Sequence, residues 1–135
     1  MDAALIRGSC CCGAVKFELV EAPVMMGTCH CSRCRKVGAS TFVIVKRESF
    51  CLMQGADAIA RLEPEPPFKY ARTFCRVCGT SLGEIGSEQD SFPIAAHCFD
   101  DDPIVRNRFH EFVSAKPAWY EINDGAKQFP HHPSR

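Results

Sequence analysis

Ten cysteines in a chain of 135 residues restrict what this sequence can fold into more than any other feature. Most stand in tight groups: Cys10-Cys11-Cys12, Cys29-His30-Cys31-Ser32-Arg33-Cys34 and Cys75-Arg76-Val77-Cys78. Such close pairs suit disulfides poorly, and a chain of this size can bury a core without crosslinks. Thiolates gathered around metal ions are the better interpretation, and zinc is the metal that such clusters usually hold.

Charge and hydropathy patterns narrow the possible partners and compartment. Lysine plus arginine equals aspartate plus glutamate, at 16 each, so no surplus positive field attracts nucleic acid. The N-terminal residues lack the basic start and apolar stretch of a signal peptide, and no later segment could span a bilayer. We therefore predict a cytoplasmic protein without membrane contact, in a compartment that keeps cysteines as thiols.

Alternating apolar and polar residues predict a mainly β protein with little helix. The predicted strands cover residues 15–19, 41–45, 68–74, 91–96 and 110–113. One short helix is expected over residues 32–37, capped by Ser32 and ended by Gly38. Residues 129–135 are expected to be a frayed end. The length predicts a single domain over residues 1–135.

A first zinc site is predicted from the C-x-x-C-G motif at residues 75–79. The turn directs Cys75 and Cys78 at one ion, and a glycine after the second cysteine can adopt positive φ. Two sulfurs do not complete a tetrahedron. Cys10 and Cys12 stand in a glycine-bounded loop before the first predicted strand and supply the missing pair, so we predict a closed four-cysteine site.

A second site is predicted where Cys29, Cys31 and Cys34 fall within six residues. Three protein ligands with an open fourth position are typical of catalytic zinc, whereas structural zinc is normally closed by four. A fourth ligand from His30, His97 or Cys98 would close the site, and spacing alone leaves both interpretations open.

Basic residues surround these clusters, and two roles are open for them. Zinc with three or four thiolates carries about −1 or −2, so nearby cations can offset that charge or bind the carboxylates of an acidic substrate. The residues concerned are Arg33, Arg35, Lys36 and Arg76.

Structural and functional roles are both open to four other side chains. His30 either turns outward to donate to a backbone carbonyl or carries protons. Cys51 is expected to be a small buried hydrophobe. Trp119 and Tyr120 either cover the core or form one wall of a cleft.

The order of the motifs identifies a family resemblance. G-S-C-C-C-G, C-H-C-S-R-C-R-K, F-C-R-V-C-G-T and H-E-F-V-S-A-K-P-A-W-Y follow one another as in the glutathione-dependent formaldehyde-activating enzyme family, which includes centromere protein V. The resemblance covers about residues 8–129. It implies a zinc-stabilised β-tent fold of small antiparallel sheets, with Cys10, Cys12, Cys75 and Cys78 on structural zinc and Cys29, Cys31 and Cys34 on catalytic zinc.

The resemblance also implies a reaction and its partners. The family activity is the reversible joining of formaldehyde and glutathione to S-hydroxymethylglutathione, a carbon–sulfur lyase reaction with Zn²⁺ as cofactor. Arg33 and Arg35 would then bind the anionic thiol substrate. The alternative hypothesis is a non-catalytic zinc module for a protein or nucleic acid partner, as the centromere-protein branch suggests. A third is a thiol redox or metal-storage role.

Overall fold

A computed structural model describes residues 5–133 of the chain. Within that range it contains one α-helix, α1 (Ser32–Val37), and eleven strands. The strands are β1 (Ile6–Ser9), β2 (Lys16–Leu19), β3 (Met25–Cys29), β4 (Thr41–Lys46), β5 (Phe50–Gln54), β6 (Ile59–Leu62), β7 (Arg72–Cys75), β8 (Ser81–Gly83), β9 (Ser91–Ala95), β10 (Asn107–Glu111) and β11 (Lys127–Gln128). No helix in residues 5–133 has the length and hydrophobicity that a membrane crossing needs.

The strands form three small sheets. Their orders are β1-β2-β5, β11-β10-β3-β4-β9 and β6-β7-β8. This confirms the mainly β fold of small sheets with little helix. The pairings within the sheets are antiparallel except that β10 runs parallel to both β3 and β11. Parallel neighbours require a long connection, and nearly eighty residues separate Cys29 at the end of β3 from Asn107 at the start of β10.

Local sequence explains the best-predicted elements. In β2, Phe17 and Leu19 are buried while Lys16 is exposed, which is the alternation of a half-buried strand. Helix α1 spans the predicted residues and ends at Gly38, which has a left-handed φ of 76°. Its cap differs from the prediction, because Cys31 is the N-cap and its sulfur accepts the backbone N–H of Cys34.

Side chains from all three sheets meet in one core. Buried residues include Phe17 of β2, Val43 of β4, Leu82 of β8 and Phe92 of β9. The second and third sheets are in close backbone contact at Gly83, where an added Cβ would lie 2.6 Å from a backbone oxygen of β9. Backbone contact at that distance requires glycine, so this position sets how the two sheets meet.

The C-terminal segment is bound to the second sheet. The prediction of a frayed end is wrong for residues 129–131, because the backbone N–H groups of Phe112, Val113 and Ser114 donate to carbonyl oxygens of that segment. Residues 134 and 135 of that prediction lie outside the described residues. Phe129 in turn donates to the carbonyl of His110. The backbone turns at Phe112, which has a left-handed φ, and the N–H groups that follow β10 thereby face the C-terminal segment.

Candidate metal centres and the buried histidine pair

Cys10, Cys12, Cys75 and Cys78 converge between the first and third sheets. Their sulfurs all lie within 4.8 Å of one another, with Cys10 to Cys12 at 3.6 Å and Cys12 to Cys75 at 3.8 Å. A zinc ion with four bonds of about 2.3 Å in a tetrahedron holds its sulfurs about 3.8 Å apart. The donor set and spacing therefore fit zinc. All four are free cysteines, so no disulfide competes for the sulfurs.

Hydrogen-bond donors approach these sulfurs from the surrounding loops. The backbone N–H of Val15 donates to the sulfur of Cys10 at 3.3 Å. The hydroxyl of Thr80 lies 3.2 Å from the sulfur of Cys78, and its side-chain hydrogen bond lowers the pKa of that thiol to about 5. Donors of this kind stabilise thiolates, which are the form that binds metal.

Cys29, Cys31 and Cys34 form a second cluster at the junction of β3 and α1. Cys29 ends β3, Cys31 caps the helix and Cys34 lies in its first turn, so three sulfurs come within 4.8 Å of one another. Cys29 is buried, whereas Cys31 and Cys34 are partly accessible. The set fits an ion with three protein ligands and one open position.

No fourth ligand joins this cluster among residues 5–133. His97, one of the three alternatives from the sequence, is exposed and outside it. Cys98 is buried in the core, where its thiol donates to the carbonyl of Ala95 at 3.0 Å. Burial raises the pKa of Cys98 to about 12, so it remains a thiol and serves as a small core residue.

Arg72 contacts the second cluster, which sequence reasoning did not foresee. Its Nη2 donates to the sulfur of Cys34 at 2.8 Å. The hydrogen bond from Cys29, and after it the charge of Arg72, lower the pKa of Cys34 to about 5 against the effect of burial. Arg33 donates instead to the carbonyl of Tyr70. Arg35 is exposed on α1.

His30 turns away from the sulfurs into a buried chain of hydrogen bonds. Its Nε2 lies 2.8 Å from Nδ1 of His110, and Nε2 of His110 lies 2.9 Å from Oδ2 of Asp124. The two histidines are 2% and 3% exposed. A carboxylate only accepts, so the His110 proton is on Nε2 and its Nδ1 accepts from His30. The predicted bond to a backbone carbonyl is therefore replaced by a bond to another ring.

Further groups hold this arrangement in place. Asn107 donates to Asp124 at 2.8 Å and accepts from the hydroxyl of Thr28 at 3.1 Å. The ring of Tyr120 meets that of His30 edge-on, with centroids 5.0 Å apart. Burial lowers the pKa of His30, and the neighbouring His110 acts in the same direction. The two rings thus lock the segment between Cys29 and Cys31 against β10.

Glu111 extends β10 to the second cluster. It pairs with Cys29 in the parallel register of β10 and β3, and burial raises its pKa. Nδ1 of His132 lies 3.5 Å from its Oε2. The C-terminal segment therefore contacts β10 at the residue that pairs with Cys29.

Two sequence interpretations are wrong on burial. Cys51 is exposed, because Phe50 and Leu52 take the inner face of β5 opposite Leu19 and Phe17. Trp119 is 77% exposed and does not cover the core.

Comparisons with known proteins were consistent with one another. The family model described as "Glutathione-dependent formaldehyde-activating enzyme" matches residues 5–115. A protein of Halomonas elongata, named "Putative glutathione-dependent formaldehyde-activating enzyme", is 30% identical over 133 aligned residues, covering 87% of this chain and 81% of the relative. A crystal structure of a Rhodobacter sphaeroides protein has a TM-score of 0.58 at 20% identity, over 91% of this chain and 98% of that one, which shows a shared fold.

Proposed function

The chain belongs to the glutathione-dependent formaldehyde-activating enzyme family, and on that premise we propose that it is a zinc-dependent carbon–sulfur lyase that forms and breaks S-hydroxymethylglutathione. In the forming direction, the thiol sulfur bonds to the formaldehyde carbon and the C=O π pair moves to oxygen. The thiol proton ends on that oxygen, so no oxidant or reductant is needed. The observation that carries the proposal is the three-cysteine cluster without a fourth protein ligand in residues 5–133.

Two zinc ions per chain are proposed, with different tasks. Cys10, Cys12, Cys75 and Cys78 would hold structural zinc, and Cys29, Cys31 and Cys34 would hold the second ion and orient its open position. Bound there, zinc supplies a Lewis acid that lowers the pKa of a substrate thiol. The partly accessible Cys31 and Cys34 leave room for a small thiol to approach.

The arginines of α1 are proposed to attract the anionic thiol. Arg33 is close enough to Cys34 for their charges to interact, and its guanidinium lies 4.6 Å from the centre of the Phe68 ring. Arg35 is exposed one residue beyond Cys34 and would act at longer range. We further propose that residues 1–135 form one domain, with its core at about residues 8–129.

A cytoplasmic location is part of the proposal. All ten cysteines are free thiols, which a reducing compartment preserves. A glutathione-related thiol is also most available in such a compartment.

The test measures the rate at which formaldehyde exchanges between its free and adduct forms. Two-dimensional exchange NMR in glutathione solution gives this rate at a pH where the uncatalysed reaction is slow. The purified protein should accelerate exchange, and Cys31→Ser should return it to the uncatalysed rate. Cys51→Ser is the matched control, because Cys51 is an exposed thiol outside both clusters. If zinc-loaded protein accelerates exchange with none of several small thiols, the chain is a zinc module without this activity.

A further inference from the structure

Arg72 stands at the start of β7, beside the second cysteine cluster. Of its side-chain nitrogens, Nη2 alone has a partner among residues 5–133, the sulfur of Cys34 at 2.8 Å. Among residues 5–133, neither Nε nor Nη1 has a hydrogen-bond partner, and Nε is buried. A guanidinium has five N–H donors in a planar fork, so most of the donor capacity of Arg72 is free. Buried donors without partners are rare in folded proteins.

A cavity adjoins this side chain. It has a volume of about 200 Å³ and lies between α1 and the strands β7 and β8. Val37 and Phe74 supply apolar wall, while Arg72 and Ser81 also line it. Pockets that enclose whole ligands usually measure about 300–1,000 Å³. This cavity is therefore sized for one end of a ligand rather than for a complete tripeptide.

The charges around Arg72 favour an anion. No carboxylate within residues 5–133 forms an ion pair with it. Arg33 adds a second positive charge near Arg72. Burial lowers the pKa of Arg33 most and the charge of Arg72 lowers it further, so the two guanidinium groups are close enough to interact. The nearby acid Glu84 is 2% exposed, does not line the cavity, and accepts the backbone N–H of Ala71 through Oε2. Its Oε1, like Nε of Arg72, is buried without a hydrogen-bond partner among residues 5–133. With zinc and three thiolates at about −1, the two arginines more than offset the charge of the cluster itself.

We propose that Arg72 binds a carboxylate of the thiol substrate at this cavity while the substrate's sulfur lies at the Cys29, Cys31 and Cys34 cluster. The planar fork of arginine matches the two oxygens of a carboxylate, which a lysine cannot reproduce. One side chain thereby joins the metal site and the recognition site. This inference rests on the proposed function and names the part of the substrate that the site recognises.

The test measures binding without catalysis. S-Methylglutathione has both carboxylates of glutathione but no thiol, and its diethyl ester lacks both negative charges. Isothermal titration of each into zinc-loaded protein should show the free acid binding about tenfold more tightly than the ester, as expected for a charge-assisted hydrogen bond. Arg72→Gln should lower the affinity for the free acid by about the same factor and leave the affinity for the ester unchanged.

Two further variants separate recognition from folding. Arg72→Lys keeps the charge beside Cys34 but loses the fork, so its affinity for the free acid should fall between those of wild type and Arg72→Gln. Arg61→Gln removes an arginine from the adjacent strand β6, where it pairs with Glu63 and does not line the cavity. It should bind both probes as wild type does. Zinc content and circular dichroism are recorded for each variant.

Each remaining outcome decides against the inference. Equal affinity of wild type for acid and ester, no binding of the acid, or equal weakening of both probes in Arg72→Gln would mean that Arg72 only holds Cys34. The proposed function fails separately. Carboxylate-dependent binding without formaldehyde exchange would leave the Arg72 site standing, and exchange that is indifferent to Arg72 would leave the reaction standing without this site.

Discussion

Asp124 accepts three hydrogen bonds although its side chain is 40% exposed. The donors are Asn107, the backbone N–H of Ala126 and Nε2 of His110. These bonds, that of Asn107 most strongly, lower the pKa of Asp124 to about 2. The carboxylate therefore stays ionised and fixes the ring tautomer of His110, and through it that of His30. A surface residue thus controls a buried pair.

The pH dependence of Asp124 is the residue-scale prediction. Its folded-state pKa lies below the unfolded value of about 3.9, so its contribution to stability is present above about pH 4 and is lost as the pH falls toward about 2. The carboxyl ¹³C shift should stay at its ionised value down to about pH 3. Asn107→Ala should raise this pKa, whereas the neighbouring Asn123→Ala should not. A carboxyl that titrates near 4 in the wild type would contradict the interpretation.

Sequence spacing predicted the site residues that lie close together in the chain. It missed those that strand pairing brings together from separate segments. The cysteine clusters were found because C-x-C and C-x-x-C directly limit how far apart sulfurs can lie. Arg72 and Asp124 stand in none of the recognised motifs, and His110 opens one of them without a role that its spacing reveals; each meets its partner from another part of the chain. The place of His110 at the start of the motif H-E-F-V-S-A-K-P-A-W-Y was the only available signal.

At the scale of elements, regular alternation was the reliable guide. Strands β2 and β4 and helix α1 lie close to their predicted bounds. Strand β3 was missed because Met-Met-Gly-Thr-Cys has no alternation, and its last three residues are all buried. The parallel pairing of β10 was not predictable either, since periodicity carries no direction. How closely the second and third sheets pack depends in turn on the residue at position 83.

Gly83 supports an element-scale prediction with an internal control. Gly83 and Gly86 have nearly the same positive φ, 85° and 84°, but an added Cβ meets β9 at Gly83 and open space at Gly86. Gly86→Ala should cost about 1–2 kcal/mol from backbone strain alone. Gly83→Ala should cost about 1–3 kcal/mol more because the sheets must separate. Urea unfolding at a fixed zinc concentration measures the free energy of unfolding of both variants. Equal losses would show that the two sheets can separate at Gly83 without losing stability.

At the scale of the whole molecule, the two clusters differ in what they connect. Cys12 and Cys75 are 63 positions apart, so an ion held by the four-cysteine cluster links the first sheet to the third. The three-cysteine cluster joins only the end of β3 to the adjoining helix. The first site therefore bears on folding, while the second can be emptied without opening a long loop.

Metal content and stability should separate accordingly. Closing a loop of this length lowers the conformational entropy of the unfolded chain, which stabilises the folded state by about 4 kcal/mol. Cys75→Ser should therefore lose structural zinc and lower the melting temperature strongly. Cys31→Ser should lose one of two zinc ions per chain and keep a dispersed ¹H–¹⁵N spectrum. Mass spectrometry of bound zinc with thermal melts tests this. Equal destabilisation by the two variants would contradict the division of tasks.

Because the two histidines are far apart in the sequence, the three cysteines of the second cluster are synthesised well before the residues that support them. Cys29, Cys31 and Cys34 are complete within six residues, whereas His30 waits for His110, 80 positions later, and then for Asp124, 14 further on. At about 5–20 residues per second, translation leaves about 5–20 s between the two stages. Throughout that interval the nascent chain carries a full set of three thiols without its supporting rings, so the growing polypeptide is most open to metal loading and to oxidation before its fold exists.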